Sequence, residues 1–121
     1  MADVTAIRSI ANNLLNPITL IDGENKSFII TIESEGGWNG NIWVPWVEDE
    51  DSMWKCITFL GIPKTEKLFL FQDYLKPANK DAVKYCTDGK YASGVEVKGS
   101  NQGGGDKVLI FGQDGTLTIS N

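Results

Sequence analysis

The chain has 121 residues, of which 41% are hydrophobic and 22% charged, with a formal net charge of −5 and no histidine. This length fits one domain, spanning residues 1–121, that buries its own core. The acidic balance and scattered basic residues argue against a nucleic-acid or anionic-membrane binder, because such proteins cluster Lys and Arg against phosphates. Without histidine, Ser-His and Cys-His catalysis and His-containing metal sites are excluded.

The first predicted element is a short amphipathic α-helix over residues 3–15. Asp3 stands at the N-cap position, and Pro17 follows the stretch as a stop signal. Apolar residues recur between them at helical spacing. These residues are Val4, Ile7, Ile10 or Ala11, and Leu14.

Beyond Pro17 the apolar pattern changes to the alternation typical of strands, over residues 17–121. Two alternating runs flank the turn-forming residues 22–25, which predicts a hairpin. An aromatic strand then follows Gly36-Gly37. A further strand is predicted at 53–60, and 67–72 is apolar on both faces, as in a central strand. A polar connection at 73–81 precedes the last predicted strands, at 83–86, 95–98, 108–111 and 116–120.

Eight or nine short strands with turn signals at intervals near ten residues predict a mostly β fold. We expect an antiparallel β-sandwich or barrel with one short N-terminal α-helix. No secretory leader or long apolar run is apparent, so we expect a cytoplasmic or mature soluble form without a membrane span. The alternating residues predicted to share the core are Phe28, Ile30, Ile32, Leu68, Leu70, Val108, Ile110, Leu117 and Ile119.

The two cysteines, Cys56 and Cys86, both fall in strand-like runs. Two interpretations remain open, namely buried free thiols or a single disulfide. The choice depends on whether the two Cα atoms lie within about 7 Å. No cation-rich motif stands beside either cysteine, so we expect no catalytic role for them.

The stretch 36–47 contains three of the four tryptophans and is followed by the acidic run 48–51. The tryptophans belong either to the core or to an exposed aromatic platform. Consecutive carboxylates on an extended chain cannot all face one ion, so we expect no metal or cofactor here. A sugar needs a flat aromatic surface beside short polar groups, and this stretch supplies both. The predicted ligand-binding residues are Trp38, Asn39, Asn41, Trp46 and Asp49, with Trp38 expected to be exposed.

These residues favour a non-enzymatic, lectin-like module that binds a small carbohydrate. In its size and β-rich character, the chain also resembles the sweet-tasting proteins, among them a fungal one. That resemblance implies a surface that engages the sweet-taste receptor, and it carries over no individual residue. A glycoside hydrolase that uses two of the sixteen acidic residues is the third hypothesis.

Overall fold

A computed structural model describes residues 4–74 and 82–121 of the chain. Within these ranges it contains twelve strands and two short 3₁₀ helices, at Glu50–Lys55 and Tyr91–Ser93. The strands are β1 Thr5–Asn12, β2 Ile18–Asp22, β3 Asn25–Ile32, β4 Gly36–Trp43, β5 Trp46–Val47, β6 Ile57–Ile62, β7 Glu66–Asp73, β8 Val83–Cys86, β9 Val95–Glu96, β10 Lys98–Gly99, β11 Gly105–Phe111 and β12 Leu117–Ser120.

The strands form two sheets that pack face to face. The five-stranded sheet has the order β10-β12-β11-β1-β4, and the seven-stranded sheet has the order β3-β2-β6-β7-β8-β9, with β5 paired to β7. Most neighbours are antiparallel, whereas β1 with β11, β10 with β12, and β5 with β7 are parallel. The prediction of a mostly β, antiparallel sandwich is therefore confirmed, and the sheets do not close into a barrel.

The predicted N-terminal helix over 3–15 is wrong, because Thr5–Asn12 forms β1, an interior strand of the five-stranded sheet between β11 and β4. A β-bulge explains the misleading pattern. The pairing of β1 with both neighbours shifts between Ile7 and Ser9, so Ile7 and Ile10 both face the core although they are three residues apart. A bulged strand thus imitates helical spacing. The proposed N-cap, Asp3, lies outside the described residues.

The predicted core is confirmed for most of its members. Five predicted residues are buried in the main core, and Phe28 and Ile30 pack against it partly buried. Val108 and Ile110 were assigned to the wrong face, because β11 directs Leu109 and Phe111 inward. Every residue from 108 to 111 is apolar, so alternation could not identify the inner face, and a one-residue offset reverses it. The five buried residues are Ile32, Leu68, Leu70, Leu117 and Ile119.

The predicted hairpin is confirmed as β2 and β3, and the predicted strand 67–72 lies within β7. The predicted strand 53–60 is wrong in its first half, where the chain forms the 3₁₀ helix Glu50–Lys55 before β6. Asp49 starts this helix by accepting a hydrogen bond from the backbone N–H of Ser52 at 2.9 Å. Of the predicted polar connection, residues 75–81 lie outside the described residues.

The seven-stranded sheet also buries apolar side chains on its outer face. Leu68 and Leu70 of β7 point into the main core, whereas Phe71 on the opposite face belongs to a second, smaller cluster. Met53 of the first 3₁₀ helix and Tyr91 of the second pack against this cluster. We call it the outer cluster, and its buried members are Val47, Cys56, Phe71 and Cys86.

Replacement of Leu70 by Ala tests the placement of β7 against the main core. Leu70 is fully buried in the main core, so the cavity left by the substitution should reduce the free energy of unfolding by about 2–5 kcal/mol. Leu15→Ala is the matched control, because Leu15 is 84% exposed and its loss should cost under about 0.5 kcal/mol. Urea unfolding measures both. A Leu70→Ala variant as stable as the control would show that β7 is misplaced.

Candidate functional site

The candidate site is built on strand β4, whose side chains alternate between the core and solvent. Trp38 and Ile42 point inward, where Ile42 is buried and Trp38 packs partly buried against the core. The outward positions carry Asn39, Asn41 and Trp43, all exposed. The Trp43 ring is 62% exposed, which is unusual for so large an apolar side chain on a strand. One tryptophan and two amides therefore share the solvent face of β4.

Two surface depressions meet at Trp43. The first, of about 250 Å³, lies toward the end of the aromatic stretch. The second, which we call the amide groove, has about 430 Å³ and lies between β4 and the turn that joins β2 to β3. Trp43 and Glu24 line both depressions. The first is also lined by Val4, Val44, Pro45, Trp46 and Lys55, and the amide groove by Asp22, Asn25, Phe28, Asn41 and Ile42.

The turn that forms the far wall of the amide groove is held in place at two points. Asp22 Oδ1 accepts a hydrogen bond from the backbone N–H of Glu24 at 3.0 Å, which stabilises the turn from within. The backbone N–H of Gly23 donates to the carbonyl oxygen of Cys56 at 3.1 Å. A Cβ atom at Gly23 would collide with the backbone of Trp54, so only glycine allows this close approach.

Two of the predicted ligand-binding residues, Asn39 and Asn41, lie on the solvent face of β4. Asn41 lines the amide groove, whereas Asn39 lies further along the strand, opposite Ser9 of β1. Both side chains are exposed, so their amides are accessible to a ligand. The structure thus brings Asn41, but not Asn39, to the depressions around Trp43.

The predicted platform residues are placed differently. Trp38, expected to be exposed, is half-buried and packs edge-on against Phe28, with ring centroids 6.3 Å apart and an interplanar angle of 73°. Trp46 is half-buried and stacks on Tyr74 at 4.8 Å and 7°, although it also lines the first depression. The expectation that Trp38 offers an open stacking face is therefore wrong.

Two carboxylates of the acidic run after β5 accept hydrogen bonds from backbone N–H groups. Asp49, a predicted ligand-binding residue, accepts hydrogen bonds from both the N–H and the hydroxyl of Ser52 at 2.9 Å. Glu50 Oε1 accepts from the backbone N–H of Tyr91 at 3.0 Å and so joins the two 3₁₀ helices. Neither Asp49 nor Glu50 lines the depressions around Trp43. These carboxylates therefore stabilise the two 3₁₀ helices that cover the outer cluster.

The buried side chain of Asp73 anchors the second 3₁₀ helix to β7. Asp73 accepts a hydrogen bond from the Tyr91 hydroxyl at 2.6 Å and forms a 2.7 Å ion pair with Lys84. Burial raises the pKa of Tyr91, and the hydrogen bond to Asp73 raises it further. The phenol therefore keeps its proton as a donor, which is the behaviour of a structural hydrogen bond.

Sequence reasoning missed Trp43 and the turn residues Asp22, Glu24 and Asn25. The signal for Trp43 was present, since Asn39, Asn41 and Trp43 share one parity of the strand and the first two are polar. It was obscured because Val44 and Pro45 extend the apolar stretch beyond the end of β4. No local pattern indicated the turn residues, because only the packing of the two sheets brings them beside β4.

Both cysteines are free and buried, so the disulfide interpretation is wrong. Cys86 pairs with Phe69 on one side of β7, and Ile57, which follows Cys56, pairs with Leu70 on the other side. Strands two positions apart in a sheet are separated by roughly 9–10 Å. This separation exceeds the Cα distance of about 7 Å beyond which a disulfide cannot form.

No protein-family model, curated protein or solved structure matches the chain. In residues 4–74 and 82–121, no group of three or more Cys, Asp or Glu side chains is arranged to hold a metal ion. The same part of the chain contains no helix that is long and apolar enough to cross a membrane.

The thiol of Cys56 provides a test of the outer cluster. Burial, and secondarily the neighbouring Cys86, raises the pKa of Cys56 from 9.0 to about 12. The folded state thus holds this proton more tightly than the unfolded state does. The resulting stability is complete below pH 9 and is lost as the pH rises toward 12. Comparison of urea unfolding at one pH below 9 and one near 11 should show a smaller loss in Cys56→Ala than in the native chain. Equal losses in both proteins would contradict the buried position of the thiol.

Proposed function

We propose that this protein is a non-enzymatic, lectin-like module that binds a neutral carbohydrate against Trp43. One observation carries the proposal. An exposed indole ring stands at the junction of two depressions, and the amides of Asn25 and Asn41 line the groove beside it. The residues that support the proposal are thus partly those that the sequence indicated and partly the turn between β2 and β3.

A sugar ring has an apolar C–H face and a rim of hydroxyl groups. The Trp43 indole offers a flat apolar surface for that face, and burial of such a ring contributes substantially to binding. The Asn41 side chain offers both donors and an acceptor, which matches hydroxyls that also donate and accept. Asn25 Oδ1 already accepts from the Ser27 hydroxyl at 2.7 Å, so this side chain offers chiefly its two N–H donors. Because these side chains are short, fixing them costs little conformational entropy. Glu24, which lines both depressions, adds a charged acceptor for hydroxyl donors.

The scaffold supports the proposal because it holds both walls of the amide groove before a ligand arrives. Asn41 and Trp43 belong to β4, which pairs with β1 on both sides of a register shift at Gly40 and Asn41. The opposite wall is fixed by the Gly23 hydrogen bond to Cys56 and by the Asp22 hydrogen bond within the turn. A preorganised site loses less freedom on binding and therefore keeps more of its interaction energy.

Binding is favoured over glycoside hydrolysis by the surroundings of the groove carboxylates. A hydrolase needs one carboxyl group kept protonated by an apolar environment and a second carboxylate across the scissile bond. Glu24 is exposed to water, and Asp22 already accepts a hydrogen bond from the turn backbone. Both carboxylates stand in a setting suited to hydrogen bonding with hydroxyl groups.

The proposal is tested by comparing Trp43→Ala with Trp54→Ala. Trp54 is a matched control, because its ring is 61% exposed but does not line either depression. A glycan array should first identify a neutral ligand for the native protein. Calorimetry should then show at least about a tenfold weaker affinity for Trp43→Ala, equivalent to about 1.4 kcal/mol, and no change for Trp54→Ala. The ligand should also protect Trp43 emission from acrylamide quenching in the Trp54→Ala background.

Two results would count against the proposal. One is equal loss of affinity in both tryptophan variants, which would point to a general surface effect. The other is an array without any bound neutral glycan. In that case, activation of cells that express the sweet-taste receptor would favour the hypothesis drawn from the resemblance to sweet-tasting proteins.

A further inference from the structure

We propose that the chain forms a two-fold symmetric homodimer in which the outer edge of β4 pairs antiparallel with the same edge of a second copy. β4 is the terminal strand of the five-stranded sheet and pairs with β1 on one side only. Its other side is an eight-residue edge, far longer than the two-residue β10 at the opposite end of the sheet. This inference does not depend on the proposed carbohydrate site.

The direction of the backbone groups of β4 is fixed on both sides of its register shift against β1. The N–H of Val44, directly after β4, donates to the carbonyl oxygen of Thr5 at 2.9 Å and so points toward β1. Beyond the shift, the N–H of Asn13 donates to the carbonyl oxygen of Phe111 in β11, so the groups of Ile10, three residues earlier, point the opposite way, toward its partner Trp38 in β4. Because backbone groups alternate along a strand, the N–H and C=O groups of the odd-numbered residues of β4 point to the outer edge. These residues are Gly37, Asn39, Asn41 and Trp43.

Within the described part of the chain, nothing pairs with this edge. Among residues 4–74 and 82–121, no backbone hydrogen bond outside the strand ladders, and no hydrogen bond from a side chain, involves the N–H or C=O of these four residues. Water satisfies such groups in a monomer, whereas a second strand would satisfy them all at once. An eight-residue row of this kind is a template for strand addition.

The edge also lacks the features that normally prevent strand addition. Natural edge strands often carry Lys or another charged residue, or a proline, and each of these opposes pairing with a further strand. The sequence Gly36–Trp43 contains no charged residue and no proline, although the whole chain has a net charge of −5. Two β4 strands can therefore pair without placing charged strand residues opposite each other, although Asp22 and Glu24 stand across the amide groove beside this edge. The register in which β4 matches its own sequence argues for a second copy of the chain as the partner.

In one register, two antiparallel copies of β4 pair all of their outward-pointing backbone groups. When Gly40 lies on the two-fold axis, Asn39 of one copy faces Asn41 of the other, and Trp43 faces Gly37. All four outward-pointing residues then pair, which gives about eight backbone hydrogen bonds, two for each facing pair. Trp43 lies opposite a residue without a side chain, so no large groups collide. A shift by two residues in either direction leaves some of these groups unpaired.

This arrangement would place both Trp43 rings on the same face of a continuous ten-stranded sheet. The two rings are six strand positions apart along the paired edge, or about 20 Å.

Light scattering after size-exclusion chromatography tests the association. The native protein should have twice the 13.3 kDa chain mass at concentrations near 100 µM. Asn39→Lys places like charges on the edge and should give the monomer mass. Ser120→Lys is the matched control, because Ser120 is exposed on β12, an interior strand of the same sheet, and it should remain dimeric. A monomeric native protein, or a dimeric Asn39→Lys variant, would overturn the proposal.

A cross-linking experiment tests the register separately. Facing residues of a hydrogen-bonded pair have Cα atoms about 5.5 Å apart, within the range of a disulfide. The double variant Asn39→Cys, Asn41→Cys should therefore form a covalent dimer under mild oxidation. Each single variant should not, because its cysteine faces an asparagine, and the native cysteines are buried. A double variant that stays monomeric on non-reducing gels, or single variants that cross-link equally well, would refute this pairing.

Discussion

Burial of Trp38 and Ile42 on the inner face of β4 determines what the strand presents to solvent. Because side chains alternate along a strand, burying these two residues leaves Asn39, Asn41 and Trp43 outside. The inward ring of Trp38 packs on Phe28 of β3, so it also ties the edges of the two sheets together. A Cβ atom at Gly40 would collide with the Trp38 ring, so glycine at this position allows the ring to lie against its own strand. The core and the candidate site are thus opposite faces of one strand.

The outer cluster connects the second sheet to the same site. In an ordinary sandwich the outer face of each sheet is polar, but β7 buries Phe71 on that face beneath the first 3₁₀ helix. The chain that leaves this helix passes Cys56, whose carbonyl oxygen accepts the hydrogen bond from Gly23. The turn that forms one wall of the amide groove is therefore held by the segment that also closes the outer cluster. A substitution that loosens the packing of the outer cluster should therefore also shift the β2–β3 turn, through the hydrogen bond between Gly23 and Cys56.

Much of the fold could be predicted from the sequence, because most strands show simple alternation. The hairpin β2–β3 and the doubly apolar β7 were recognised for that reason. The predictions were wrong where the apolar pattern does not show the simple two-residue alternation of a strand. The bulge in β1 spaces Ile7 and Ile10 like a helix, and the continuous apolar run in β11 conceals which face is inward. The candidate site was only half predictable. Asn41 follows from the strand itself, whereas Asn25 joins it through sheet packing that no local pattern encodes.

The distribution of charge explains why one strand can serve both proposed roles. Charged groups are strongly hydrated, and removing that water is costly unless a partner replaces it. Amides and an indole are neutral, so they can be covered by a sugar or by another strand at a smaller cost. The acidic residues that give the chain its net charge lie elsewhere, for example in the 48–51 run after β5. Those charges keep other surfaces apart through repulsion, while the neutral strand β4 remains open to contact. In the proposed dimer, association is thereby directed to the edge of β4, whose eight residues carry neither charge nor proline, whereas the equally long terminal strand β3 carries Lys26.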